Sequence, residues 1–316
     1  MIMRRFFKTL IAYLLLLAAL TAGINALYVR RLPPKDTDKY RHVPETLDLC
    51  NFGSSHEADA FYYEAAPGKS GFNFAMGSQS LGYDDRLLHY YIDRVRPGGT
   101  VYLGVSYFSF FGLPETHSKS FASKNKRYYD FLPAEYILDY NPKIAFFEKY
   151  APALTVDEGL FKTLFFPDPV IDFESMTIDA ETAAQQAPSR YETHFVEDQF
   201  DENGQRIRNE GEYQALLEMI ALCKERSLEP ILVTTPLTAE YCEQIDRNAP
   251  EFYDEFYAIM DRICEETGVR YFDYSRDERF SHAYELFCNI DHLNRAGGLK
   301  FTEIVLADSL GEQKSP

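Results

Sequence analysis

The sequence predicts an α/β fold, a mainly parallel sheet with helices on both faces, carried behind a single N-terminal transmembrane helix. Three observations point there. Strand-like and helix-like segments alternate from residue 47 to residue 310, and such alternation yields parallel strands joined by crossover helices. An apolar run fills most of the first 30 residues. Two short polar loops, Gly53 to His56 and Asn289 to His292, fall beyond predicted strands, where open sheets of this class bind their ligands.

The apolar run extends from Phe6 to Val29, "FFKTLIAYLLLLAALTAGINALYV", and only Lys8 and Asn25 interrupt it. As a helix it crosses about 30 Å of hydrocarbon. A long apolar core with no small-x-small cleavage site behind it favours a retained anchor over a cleaved signal peptide. Basic residues flank both ends (Arg4, Arg5 and Lys8; Arg30, Arg31 and Lys35), so the positive-inside rule gives little orientation. An anchor that reads like a signal sequence implies export, a cell-membrane protein with its main domain extracytoplasmic. Residues 1–29 are thus expected to be a cytoplasmic tip and anchor, and the charged, proline-bearing residues 30–44 a stalk.

The main domain is expected over residues 45–310, with 311–316 as a tail. Leu47 to Phe52 is its first strand candidate. Residues 84–95 have helical spacing, and 98–110 read as a turn followed by a β-rich run. The amphipathic stretch 209–227 predicts a helix, 229–236 a strand, Glu251 to Thr267 a helix, 268–275 a strand, and Arg295 to Leu310 the last helix. Residues 112–205 break this rhythm. They are rich in aromatics and proline, with a polar, loose segment over 175–190, and read as an insertion or lid. The aromatic clusters "SYFSFF" and "AFFEKY" are expected to pack in core or lid.

Composition removes several function classes. With 49 acidic against 32 basic side chains the 316-residue chain carries a formal charge of −17, which argues against nucleic acid as a partner, because binders of phosphate backbones present a basic stripe. The five cysteines form no CxxC and no Cys/His ligand spacing, so neither a zinc site nor a disulfide framework is indicated. They read as buried thiols; Cys50 and Cys288 come within pairing distance only if their two loops converge.

The chemistry turns on "GSSH". A serine hydroxyl becomes a nucleophile only when a base takes its proton, the base is oriented, and N–H donors receive the oxyanion. Of seven histidines, His56 adjoins the serines, and His292 lies in "NIDHLNRAGG" beside Asp291 and just ahead of the last helix. A base from the last loop meets a nucleophile from the first if both loops share one end of the sheet. Taken singly, Gly-Ser-Ser and Asp-His are also common turn and cap sequences.

Taken together, in this order and on this frame, the motifs resemble the SGNH/GDSL-type hydrolase superfamily, whose fold is a three-layer, flavodoxin-like parallel sheet. The resemblance makes Ser55 of Gly53-Ser54-Ser55 the nucleophile, with Ser54 where the family usually has aspartate. "NFAMGSQS" (73–80) is similar to the second block and implies a backbone oxyanion donor at Gly77 or Ser78. "LGVSYF" (103–108) stands at the third block with Ser106 in place of asparagine. The last block implies His292 as base. Its supporting carboxylate is expected three residues earlier, where this chain has Asn289, leaving Asp291 as the substitute. The pattern "GSSH … DHLN..G…FT" behind one membrane anchor looks like the bacterial cell-envelope branch, which includes alginate O-acetyltransferase-type proteins and the lipoteichoic-acid D-alanylation protein. The resemblance therefore implies a serine-dependent O-acyl- or acetyltransferase, or an esterase, acting on an envelope polysaccharide or related polymer. Its partners would be the polymer, an acyl donor and a membrane-bound acyltransferase. It implies no metal and no cofactor. A non-catalytic scaffold of the same fold, binding polymer or acyltransferase, is the alternative that Asn289 and Ser106 keep open.

Overall fold

The computed structural model describes residues 2–32, 35–117, 121–155, 159–167, 169, 171–196 and 199–311. In chain order its principal elements are α1 (Ile2–Arg31), β1 (Leu47–Phe52), α2 (Ser55–Ala60), β2 (Gly71–Asn73), α3 (Leu81–Tyr91) and β3 (Val95–Gly104). Then come α4 (Phe121–Asn125), α5 (Pro142–Tyr150), α6 (Leu160–Phe165), α7 (Ala180–Phe195) and α8 (Glu210–Glu225). β4 (Glu229–Thr234), α9 (Ala239–Asn248), α10 (Glu251–Thr267), β5 (Arg270–Asp273) and α11 (Arg295–Gly311) complete the chain. They divide into two compact units, one of Met1–Arg41 with Ala122–Ile171, the other of His42–Phe121 with Asp172–Pro316.

The larger unit is an α/β domain. Its five strands run in the order β2-β1-β3-β4-β5 and every pairing is parallel. Inner strands of such a sheet are covered on both faces and so read as nearly continuous apolar runs, as in "LDLCNF" of β1 and "EPILVT" of β4. Alternation along each strand sends Leu49, Tyr102, Ile231 and Val233 to one face, against Phe61, Phe280 and Phe301. Cys50 points to the other face, toward Cys223 of α8. All five cysteines are thiols, and Cys50 is not joined to Cys288.

This strand order reverses direction between β1 and β3, and the crevice beyond their carboxyl ends is the usual ligand position in doubly wound sheets. Both ends are shaped by one side chain. Glu57 is buried and inserts between Gly53, which follows β1, and Gly104, which ends β3. A Cβ at Gly53 would stand 2.4 Å from Glu57 Oε2, and one at Gly104 would stand 2.2 Å from its carboxyl carbon. Gly53 also has φ +144°, a backbone that side chains resist. The Glu57 carboxylate accepts the Ser54 backbone N–H at 2.8 Å and so caps α2. Helix α11 closes over α2 in the same manner. A Cβ at Gly298 would meet the Tyr62 ring at 2.5 Å, and Thr302 Oγ1 accepts from Tyr62 N at 2.8 Å.

Two elements differ from the sequence expectation. The β-rich run expected over 98–110 is displaced, because β3 starts at Val95, absorbs the Gly98-Gly99 turn as an irregularity in its pairing, and ends at Gly104. Beyond it the Ser109 hydroxyl takes the Ser106 N–H at 2.8 Å and bends the chain off the sheet. The loose segment expected over 175–190 is instead largely α7. Asp179 caps it by accepting from Thr182 N at 2.7 Å, and Ala183, Ala187 and Phe195 form its buried stripe. The polarity of its other residues is that of a solvent face.

In the smaller unit, α1 covers the whole apolar run. Asp36–His42 forms a 3-10 turn whose Tyr40 stacks on Phe131 at 3.9 Å, while Lys35 pairs with Asp130 at 2.6 Å.

Replacing Gly104 by alanine forces a methyl group into the Glu57 carboxyl, and we expect Gly104→Ala to cost about 1–3 kcal/mol. Gly211→Ala, on the exposed first turn of α8, serves as control and should leave the denaturation midpoint unchanged or slightly raised. Equal midpoints for the two variants would refute the packing role given to Gly104.

Candidate active site

The site forms where the loop after β1, the loop before α11 and the end of α7 meet. Ser55 opens α2 immediately after the Gly53 turn and is half-buried. Its Oγ lies 2.8 Å from His292 Nε2. The other ring nitrogen, Nδ1, lies 2.9 Å from Asp291 Oδ1 and 3.0 Å from Asn289 Oδ1. With the proton on Nδ1, donated to these oxygens, the Nε2 lone pair is left facing the serine hydroxyl.

Asn289 and Asp291 have different tasks. Asn289 Oδ1 also accepts the backbone N–H groups of Asp291 at 3.1 Å and His292 at 2.9 Å, a local turn that sets the loop. Asp291 carries the charge. Its side chain is wholly buried, and its second oxygen, Oδ2, lies 3.1 Å from His56 Nε2. Burial raises its proton affinity, but the charges and hydrogen bonds of His292 and then His56 outweigh that and hold the carboxyl well below the ordinary range. For His292, burial works toward the neutral ring, and the charge and hydrogen bond of Asp291 reverse it, leaving the pKa above the usual 6.5.

Several participants were not expected from sequence. His56, expected beside the serine without the base role, stacks on His292 with ring centroids 4.5 Å apart and turns Nδ1 to Ser54 Oγ at 3.2 Å. Arg190 of α7 places Nε 3.1 Å from Asp291 Oδ1. His194, one turn further, shares a hydrogen bond between its Nδ1 and the Tyr241 hydroxyl at 2.6 Å. Burial, helped by the positive charge of nearby groups and opposed by Asp291, pushes His194 down to about 3, so it is neutral. The readable signal was Arg190 and His194 at i,i+4 on a helix whose cap is Asp179.

His56, Asp291 and His292 offer ligand atoms within 4.8 Å of one another. The Arg190 guanidinium on the same carboxylate disfavours a divalent cation there, and hydrogen bonds already occupy the inner ring edges, so the cluster reads as a proton-handling network.

The expected oxyanion residues are placed as follows. Gly77 and Ser78 lie in the loop after β2, which is fastened to the turn before Ser55 by Met76 N to Gly53 O at 3.2 Å and Gln79 Nε2 to Gly53 O at 3.2 Å. Ser78 has φ +52°. Behind this loop Asp84 accepts from Gly53 N at 2.9 Å and Gln79 Nε2 at 2.6 Å; burial drives its carboxyl well above the ordinary range against those bonds. Ser106 lines a small cavity with His56, Phe108, Thr235 and Tyr241, with room of about 10 Å³ for the centre of a water molecule, enough for about one water.

No family model and no curated protein matches the chain. Among solved structures it is similar to a "putative acylhydrolase" of Bacteroides fragilis NCTC 9343, with 9% identity over 88% of this chain and 94% of that one and a TM-score of 0.41. A "putative platelet activating factor" from Streptococcus pneumonia shares 11% identity over 95% of this chain and 98% of the other, at a TM-score of 0.40. Likenesses at such scores say nothing of reaction or substrate, and the chemistry has to be read from the site's own residues.

Proposed function

We propose that the chain is a serine-dependent acyl-transferring enzyme of SGNH type, anchored by α1, with the larger unit outside the cytoplasm. The observation that carries this reading is the 2.8 Å approach of Ser55 Oγ to a His292 ring whose far nitrogen is held by a buried carboxylate. His292 Nε2 takes the Ser55 proton as the oxygen attacks an acyl carbonyl. The tetrahedral oxyanion is received by the Gly77 or Ser78 backbone, with Ser106 as a further donor. His292 then returns the proton to the leaving group, and an acyl-serine remains. A polymer hydroxyl completes an O-acyl- or acetyltransfer, whereas water completes an esterase cycle. Among the described residues one helix, Met3–Arg31, is long and apolar enough to cross a membrane; with the sequence resemblance it supports a cell-envelope polysaccharide or related polymer as acceptor. A membrane-bound acyltransferase would then serve as acyl source.

Serine and base act as a unit. Ser55→Ala and His292→Ala should each lower turnover of an activated acyl ester by about 10³-fold or more, and the double variant by little more than either. His56→Ala should retain far more activity than His292→Ala. Additive losses in the double variant, or a larger loss for His56 than for His292, would contradict these roles.

The pH profile follows from the sign of the His292 shift. A base must be neutral, so activity falls as pH drops through a pKa lying above 6.5. Asp291→Asn removes the group that raises it and should move the acid limb to lower pH while lowering kcat. Asn289→Asp adds a carboxylate beside Nδ1 and should hold the limb in place or move it upward. An unshifted limb in Asp291→Asn would deny that carboxylate its role.

A further inference from the structure

The aromatic segment of the smaller unit, which packs beside α1, has no part in the site above and exposes many large apolar side chains. Phe146, Phe147 and Tyr150 of α5 and Phe161 and Phe165 of α6, with the adjoining Phe166, are all exposed, at 40 to 67%. Phe146 adjoins Phe147 and Tyr150, and Phe161 adjoins Phe165 and Phe166; soluble surfaces rarely expose so many large apolar rings along so short a stretch of chain. Their helices also carry Lys143, Lys149 and Lys162. Short helices with aromatics on one side and lysines beside them are suited to the boundary between lipid headgroups and acyl chains.

The tie to α1 fixes the depth. Asn25, the polar residue that interrupts the far half of the apolar run, accepts from Ala153 N at 3.1 Å and donates from Nδ2 to Tyr150 O at 3.4 Å. An amide in hydrocarbon needs partners; the last residue of α5, Tyr150, provides the acceptor and Ala153 just beyond it the donor. Helix α6 also packs on α1. At a rise of about 1.5 Å per residue, Asn25 lies about 6 Å inside Val29, within the roughly 5–10 Å to which interfacial helices sink.

We infer that α5 and α6 form an interfacial membrane element that lies in the bilayer leaflet at the C-terminal end of α1, with Asn25 as its attachment point. This rests on the reading of α1 as a membrane span. The occupant of the aromatic surface is lipid, since α6 packs on the apolar helix α1, Tyr150 lies against α1 beside Asn25 and Ala26, and the lysines suit a headgroup layer.

The chain has no tryptophan, so a single substitution gives a single emitter. Phe161→Trp and Phe165→Trp would be placed in the full chain, one protomer per lipid nanodisc, beside Leu16→Trp in the middle of α1. Lipids brominated near the glycerol end of the acyl chain should quench Phe161→Trp and Phe165→Trp more strongly than lipids brominated at the chain end, with blue-shifted emission. Leu16→Trp should show the reverse depth order. Quenching of Leu16→Trp with none at either phenylalanine position would overturn the inference while leaving the anchor intact. Absence of quenching at Leu16→Trp would remove the anchor reading and the inference with it. A drop in the quenching at both phenylalanine positions on Asn25→Leu, with α1 still inserted, would support the attachment, and unchanged depth would refute it.

Discussion

Asp291 is fully buried, and an ionised carboxylate in that position costs several kcal/mol unless neighbours supply charge and hydrogens. The groups that satisfy it come from three separate parts of the chain. His292 adjoins it in sequence, His56 arrives from α2, and Arg190 arrives from α7. Removing the carboxylate would therefore free two imidazoles and a guanidinium at once, whereas removing one donor leaves the others in place. The arrangement also explains the opposed proton affinities of its members: Asp291 is held anionic, His292 is drawn toward protonation, and His194, one step further out and hydrogen-bonded to Tyr241, stays neutral.

The sheet makes that convergence geometrically inexpensive. In the order 2-1-3-4-5 the turn after β1 and the bend after β3 leave the sheet side by side, so residues 53–56 and 105–108 face the same crevice. Glu57 fills the space between them, which is why both turns carry glycine. Asn73 reinforces the arrangement by donating to the carbonyls of Glu57 at 3.1 Å, Ala58 at 3.0 Å and Phe61 at 3.0 Å, and by accepting from Ala75 N at 3.0 Å. Side-chain amides that satisfy several backbone groups at once hold a loop in one geometry, and the turn that carries Ser55 is held in this way.

The α/β class and its regular elements were legible from periodicity. "LDLCNF", "EPILVT" and the amphipathic stretch over Glu251–Thr267 carry their own patterns, and the structure has β1, β4 and α10 there. What escaped the sequence was tertiary. Residues 175–190 read as loose because their polar face dominates the composition, yet the stripe of Ala183, Ala187 and Phe195 makes a helix of them and delivers Arg190 and His194. Nor could spacing decide between Asn289 and Asp291 beside His292. The distances are alike, and the difference lies in what else each side chain meets, backbone N–H groups for Asn289 and the His56 ring and Arg190 guanidinium for Asp291. The role of His56 was hidden for the same reason, since its partner is 235 positions away.

The account depends on Ser55 being activated by His292, and the most direct measurement is covalent trapping. The full chain in detergent would be treated with an electrophilic alkylphosphonate ester and its peptides mapped by mass spectrometry. A single adduct on Ser55, formed in the folded protein and abolished by His292→Ala, is the predicted result. No adduct, or an adduct on Ser54 with Ser55 unmodified, would contradict it.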